Sequence, residues 1–223
     1  MSRVVVQAFI SLDGVVQSPG GPDEDPEGGF DLGGWSLGFD AAKDVGGEGD
    51  AIIAEWESRT EGLLLGRKTY DIFSRSWGVW DENAPGFGGE LTKLYNRIPK
   101  YVASRTLTEL DWKNSHLLGP DVPTAVQKLR EEPGGEIRVW GSADLIGTLA
   151  RHDLVDEYRL VVYPLVLGRG KKLFPDGFAV TTLELAESRA LASGVVVNTY
   201  RRSDEPLIVN ERTFSDPANA GGQ

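Results

Sequence analysis

Apolar, β-branched runs bounded by glycine, proline or charge recur at residues 4–10, 63–65, 100–103, 137–140, 155–163 and 195–200, and such runs predict strands. Between them the period changes. Ala51-Ile52-Ile53-Ala54-Glu55-Trp56 precedes the second run, the stretch from Val122 sets Val122, Val126 and Leu129 on one helical face, and Leu145, Ile146 and Leu149 repeat that spacing. Strand and helix therefore alternate to about residue 155, the pattern of a layered α/β sheet with parallel crossovers. Beyond that point the strand candidates follow one another without a helix. Ala192-Ser193-Gly194 reads as the turn of an antiparallel hairpin between residues 182–190 and 195–202. Pro164 has no amide hydrogen to give a ladder and belongs at a strand edge or bulge.

Two segments lack any period. Residues 18–49 are rich in glycine, proline and acid yet hold Phe30, Trp35, Leu37 and Phe39, so a loop this long is expected to be a lid or a disordered insertion. Residues 203–223 read as a mostly disordered tail, with Leu207-Ile208-Val209 able to dock as a short strand. The expected organisation is one domain over residues 1–202 followed by that tail.

Composition narrows the function. The 223 residues are 40% hydrophobic, enough for one substantial core. With 23 basic and 34 acidic side chains the formal charge is −11, which repels phosphate backbones and anionic lipid surfaces. Neither nucleic acid nor membrane is an expected partner. Without cysteine there are no disulfides, thiolate metal sites or cysteine nucleophiles, in keeping with a reducing, cytoplasmic setting. The longest apolar run, residues 160–167, is interrupted by Pro164 and falls far short of the ~20 residues that span a bilayer.

Several chemistries lack their residues. His116 and His152 do not have the spacing of a zinc site, so no metal is expected. There is no Gly-x-Ser-x-Gly elbow, and Gly168-Arg169-Gly170-Lys171-Lys172 has neither the spacing nor the hydroxyl of a phosphate loop. A Gly-x-Gly-x-x-Gly finger is missing too. What remains is a set of strand ends suited to anions. Leu63-Leu64-Leu65-Gly66-Arg67-Lys68-Thr69-Tyr70 passes from strand through Gly66 into a helix, and Val139-Trp140-Gly141-Ser142-Ala143-Asp144-Leu145 repeats the arrangement. Free amides and a positive dipole end make such junctions receptive to phosphate. Tyr101-Val102-Ala103-Ser104-Arg105 ends a third strand with a hydroxyl and a forked guanidinium.

Together with Ser11-Leu12-Asp13-Gly14 and Tyr163-Pro164-Leu165-Val166-Leu167-Gly168-x-Gly170, these motifs resemble the dihydrofolate reductase-like superfamily over residues 3–202. The branch they resemble is that of the C-terminal reductase domain of the riboflavin-biosynthesis deaminase-reductase. The resemblance implies a mixed sheet, mainly parallel with an antiparallel C-terminal hairpin and helices on both faces. It also implies an NADPH-dependent reductase of a small heterocyclic or carbonyl-type acceptor, similar to the pyrimidine reductase of riboflavin synthesis, acting as a homodimer. By that resemblance Gly66, Arg67, Lys68 and Thr69 line the pyrophosphate and adenosine side, Ser104 and Arg105 hold the 2′-phosphate, and Gly141, Ser142 and Leu145 close on the diphosphate. Ser11 and Asp13 border nicotinamide and substrate, and Gly168 with the Arg169, Lys171 and Lys172 that follow it is either a site for a substrate phosphate or a solvated basic turn.

Asp13 is the nearby acid, either as a proton donor or as one half of an ordinary Asp-Gly turn. The acidic 18–49 insertion sits where a phosphorylated ribose would enter, so either the substrate is uncharged or the insertion folds away. The alternative to an enzyme is a nucleotide-binding module that keeps the fold without the reaction.

Overall fold

Hardly a polar side chain interrupts Arg3–Ser11, and this segment forms the central strand β1, buried on both faces as parallel strands are. Val4, Val6, Ala8 and Ile10 enter one core, while Phe9 packs into a second on the opposite face. A computed structural model describes residues 1–39, 47–205 and 207 of the chain. Its other strands are β2 (Thr60–Gly66), β3 (Lys100–Ala103), β4 (Ser115–Leu117), β5 (Glu136–Trp140), β6 (Glu157–Tyr163), β7 (Leu183–Ala190) and β8 (Val196–Arg202). The helices that carry the argument are α1 (Glu48–Glu57), α2 (Arg67–Arg75), α3 (Phe87–Arg97), α4 (Val122–Glu131) and α5 (Ala143–Arg151).

One eight-stranded sheet runs in the order β4-β3-β2-β5-β1-β6-β8-β7. Every pairing from β4 to β6 is parallel, and β8 joins β6 and β7 antiparallel. The mixed sheet expected from the sequence is therefore present, and Pro164 follows the last residue of β6. Helices cover both faces. Val126 of α4 and Leu145, Ile146 and Leu149 of α5 close one core. Ile52, Ile53 and Trp56 of α1, Tyr70 of α2, and Leu91 and Tyr95 of α3 close the other.

Two elements escaped the pattern. β4 is three residues long at a sheet edge and half exposed, so it carries no apolar run. α3 does have Phe87, Leu91, Leu94 and Tyr95 at helical spacing, but the preceding Gly86 and its own Gly88-Gly89 disguise its start as a loop. Residues 40–46, part of the expected lid, lie outside the described residues, as do 206 and 208–223 of the expected tail. Among the described residues no helix is long and apolar enough to cross a membrane.

Candidate active site

Strands β1 and β5 are neighbours, yet their outgoing connections cover opposite faces of the sheet, through α1 and α5 respectively. A crevice must open beyond the carboxyl ends of two such strands, and ligands of open α/β sheets bind there. A cavity of about 700 Å³ occupies this position, lined by Ala8 and Phe9 of β1, Trp140 and Gly141 at the end of β5, and Val161 and Tyr163 of β6. Its walls are aromatic. Phe9 meets Trp140 and Tyr163 edge to face at 5.5 and 5.6 Å, and Trp77 packs on Trp80 at 4.6 Å. Trp35 braces Tyr163 at 5.4 Å. Such pairs fix ring orientation through their quadrupoles.

Trp140 is also fixed by a hydrogen bond. Its indole N–H donates to Glu57 Oε1 at 3.1 Å, and burial pushes the Glu57 carboxyl above its ordinary range. Burial raises the neighbouring Tyr95 hydroxyl as well, followed by the charge of Glu57. Sequence reasoning singled out neither residue. Glu57 follows Trp56 as the last residue of α1 and carries no sequence signal of burial, which comes from packing beside Tyr95, Arg138 and Trp140.

The three anion-seeking strand ends fall together, because β3, β2 and β5 are consecutive, parallel strands. Thr69, Gly141 and Ser142 line the cavity itself. Ser142 adopts the left-handed conformation with φ 56°, unusual for a residue with a side chain, and its contacts show what holds it there. Its N–H donates to Thr69 Oγ1 at 3.1 Å, its hydroxyl donates to the same oxygen at 2.9 Å, and that hydroxyl accepts the Gly66 N–H at 2.9 Å. Gly141, at φ 51°, completes the corner: a Cβ there would lie 2.9 Å from Thr69 Oγ1. The two junctions are thus one interlocked unit, and neither α2 nor α5 has a side-chain cap from its N-cap residue. α4, by contrast, is capped by Asp121, which accepts the Thr124 N–H at 3.2 Å.

The remaining candidates stand around this unit. Arg67 pairs with Asp71 one turn along α2 at 2.8 Å, and Lys68 pairs with Glu27. Ser104 Oγ accepts the Leu107 N–H at 2.9 Å and so shapes the turn after β3, leaving Arg105 exposed. Leu145 is a core residue of α5, which limits its share in any contact to backbone.

Ser11, Asp13 and Gly168 do converge, but on one another rather than on the cavity. Asp13 accepts the Ser11 hydroxyl at 2.7 Å and the amides of Leu167 and Gly168 at 3.1 and 2.7 Å. These bonds, the Ser11 hydroxyl first, hold its carboxyl down to about 2. At neutral pH Asp13 has no proton to give, and its geometry is that of a clamp between two loops.

Gln17 and residues 18–25 of the insertion line the cavity. Gln17 anchors them, donating from Nε2 to the carbonyls of Asp25 and Glu27 at 2.9 and 3.0 Å. A row of ion pairs ties the segment down: Lys171 lies 2.5 Å from both Asp25 and Glu27, and Arg169 pairs with Asp31. Burial opposes the Lys171 charge, but Asp25 and Glu27 prevail and raise its pKa. Lys171 and Lys68 together hold Glu27 down to about 2. At Gly170, φ 118°, an added Cβ would strike Val15 at 2.6 Å and Phe30 at 2.9 Å, so the basic turn presses directly on the insertion.

This fold, with its cleft at the β1/β5 switch point, is of the dihydrofolate reductase-like class. The dihydrofolate reductase of Enterococcus faecalis, solved with NADP(H) and the ligand RAB-propyl, superposes with a TM-score of 0.52 at 12% identity, over 91% of this chain and 97% of that one. Within the class the chain belongs to the RibD C-terminal domain family, whose model matches residues 2–197. A protein ascribed to riboflavin biosynthesis from Shewanella sp. PV-4 is similar in structure, with a TM-score of 0.61 and 20% identity over 90% of this chain and 99% of that one. In sequence it is similar to the uncharacterized protein YyaP of Bacillus subtilis (strain 168), 30% identical over 204 residues, 89% of this chain and 94% of its relative. The family is reductase-like, as the resemblance in the sequence implies.

Proposed function

We propose that this chain is an NADPH-dependent reductase that passes a hydride to a small heterocyclic or carbonyl-type acceptor. The observation that carries the reading is the interlocked pair of helix starts, Gly66 to Thr69 and Gly141 to Ser142, opening beside an aromatic cavity. The residues present suit a dinucleotide with an extra phosphate. Two helix N-termini whose N-cap residues give no side-chain cap offer their first-turn amides to a diphosphate, with Gly66, Arg67, Lys68 and Thr69 on one side and Gly141, Ser142 and the Leu145 backbone on the other; the Gly66 and Ser142 amides are already held by Ser142 Oγ and Thr69 Oγ1. Ser104 and Arg105, one strand further out, suit a 2′-phosphate monoester.

NADPH supplies the hydride when bound, and the protein contributes position and electrostatics. The aromatic walls exclude water and hold a ring against the cofactor. Ionised Asp13 fixes the 164–170 turn rather than donating a proton, so the single proton that completes the reduction comes from solvent. Ser11 acts with Asp13 in that clamp, and Gly168 and Arg169 set the turn bordering the insertion. Residues 18–39 of the insertion serve as a lid over the cleft, and the protein works as a homodimer.

Substituting Arg105→Ala is expected to weaken NADPH by about tenfold, the loss of one charge-assisted contact, and NADH much less. Equal weakening of both cofactors counts against the 2′-phosphate role. The lack of a protonated acid at Asp13 favours a second reading, a binding module without turnover. NADPH oxidation that depends on an added acceptor separates the two.

A further inference from the structure

The sequence left two possibilities for the acidic insertion, and the geometry decides between them. Its described part does not fold away: Asp23, Glu24 and Asp25 line the cavity. Lys171 is the basic residue among the described cavity-lining groups, and it already lies against Asp25 and Glu27. Arg169 is taken by Asp31. Lys68, at the boundary with the proposed diphosphate site, is taken by Glu27. Each of these three cations thus has a carboxylate partner from residues 25–31, while Asp23 and Glu24 add further acid to the described lining. A phosphate entering beside residues 23–25 would meet repulsion, with no unpaired guanidinium or ammonium among the described lining residues to receive it. Much of the rest of the lining is apolar, and within it Phe9, Phe73, Trp77, Trp140 and Tyr163 present rings, which favour a flat π-system.

We propose that the acceptor held in this cavity is a planar aromatic ring system bearing no phosphate or other negative charge. The inference rests on the reading above that the cavity is where acceptor meets cofactor. It also separates this chain's substrate from a phosphoribosyl pyrimidine. Anionic recognition falls instead to the corner of Thr69, Gly141 and Ser142 on the cavity wall and to the strand ends beyond it.

Riboflavin and its 5′-phosphate, FMN, are suitable probes because they share one ring and differ by a phosphate. Titrated at low ionic strength against the fluorescence of the cavity tryptophans, riboflavin is expected to bind about tenfold tighter than FMN, a gap that salt narrows. The variant Asp25→Asn/Glu27→Gln, which releases Lys171 and Lys68, is expected to bring the two within about threefold. Asp23→Asn touches no ion pair and is expected to shift the ratio in the same direction by a smaller factor. FMN binding as tightly as riboflavin to the unaltered protein, saturation by neither, or a ratio unmoved by both variants overturns the proposal. NADPH titrated in parallel tests the cofactor separately: its failure to bind while riboflavin is still preferred over FMN removes the reductase reading and leaves the cavity's preference standing.

Discussion

Asp13 shows how far a single residue can be read from its neighbours in sequence. An Asp-Gly pair after a strand allows either an acid or a turn, and what selects the turn is the arrival of two amides from residues 167 and 168, about 150 positions away. The consequence is measurable. A carboxyl held at about 2 instead of 3.8 contributes stability that is complete above 3.8 and lost as the pH falls through 2. Asp13→Ala is expected to cost about 1 kcal/mol at neutral pH and to flatten that part of the acid limb, followed by urea unfolding at several pH values. NADPH-dependent activity should keep its pH profile above 5. Loss of an acid-dependent limb near neutrality would return Asp13 to the role of proton donor.

Gly141 makes a comparable case. Its place before a helix was legible, but the reason no side chain fits is Thr69 Oγ1, 2.9 Å from where a Cβ would stand. Gly141→Ala is expected to lose about 1–2 kcal/mol, combining the positive φ with the clash. Thr69→Ala removes both the clash and the Ser142 hydrogen bonds, so the double variant should lose less than the sum of the two singles. Strict additivity in a double-mutant cycle would mean the junctions are not coupled.

At the scale of elements, the insertion is the part whose behaviour follows from charge. Its carboxylates are separated along the chain from Lys68, Arg169 and Lys171, and composition alone gave only an excess of acid. Paired, they form a strap across the cleft beside the first turn of α2. Glu27, with its pKa lowered from 4.5 to about 2, keeps its charge through the neutral range, and the strap weakens only as the pH falls from 4.5 through 2. If Lys68 belongs to the cofactor, it must exchange Glu27 for a phosphate on binding. Glu27→Gln is therefore expected to tighten NADPH by a few fold at low salt, with the advantage fading as ionic strength rises. An unchanged affinity measured by calorimetry would place Lys68 outside the cofactor site. The missed helix α3 belongs to this scale too. Its apolar positions were spaced correctly, but three glycines around its start hid the boundary, and packing of Leu91 and Tyr95 beneath the cavity overrides that weak local preference.

For the whole molecule, the same face of the sheet that carries Trp140 hides a chain of ions. Arg138, fully buried, donates to Glu136 at 2.7 Å, Glu136 takes Arg159 at 2.6 Å, and Arg159 reaches Glu157 at 2.7 Å. Removing one member strands a buried charge, so Glu136→Ala is expected to cost about 3–5 kcal/mol, readable as an early thermal transition. A surface-like loss below about 1 kcal/mol would show that water reaches the network.

The order of apolar and polar positions was sufficient for the alternation of strand and helix, the closing hairpin and the three strand-end corners at Gly66, Ser104 and Gly141, since each depends on neighbours within a few residues. It could not decide which corners meet, whether Asp13 donates or clamps, that Glu57 lies behind Trp140, or that the insertion's acids take up the nearby cations. Those outcomes depend on the strand order β3-β2-β5-β1-β6, which brings distant segments within hydrogen-bonding range. Only chain folding encloses Glu57 behind Trp140 in low-dielectric surroundings.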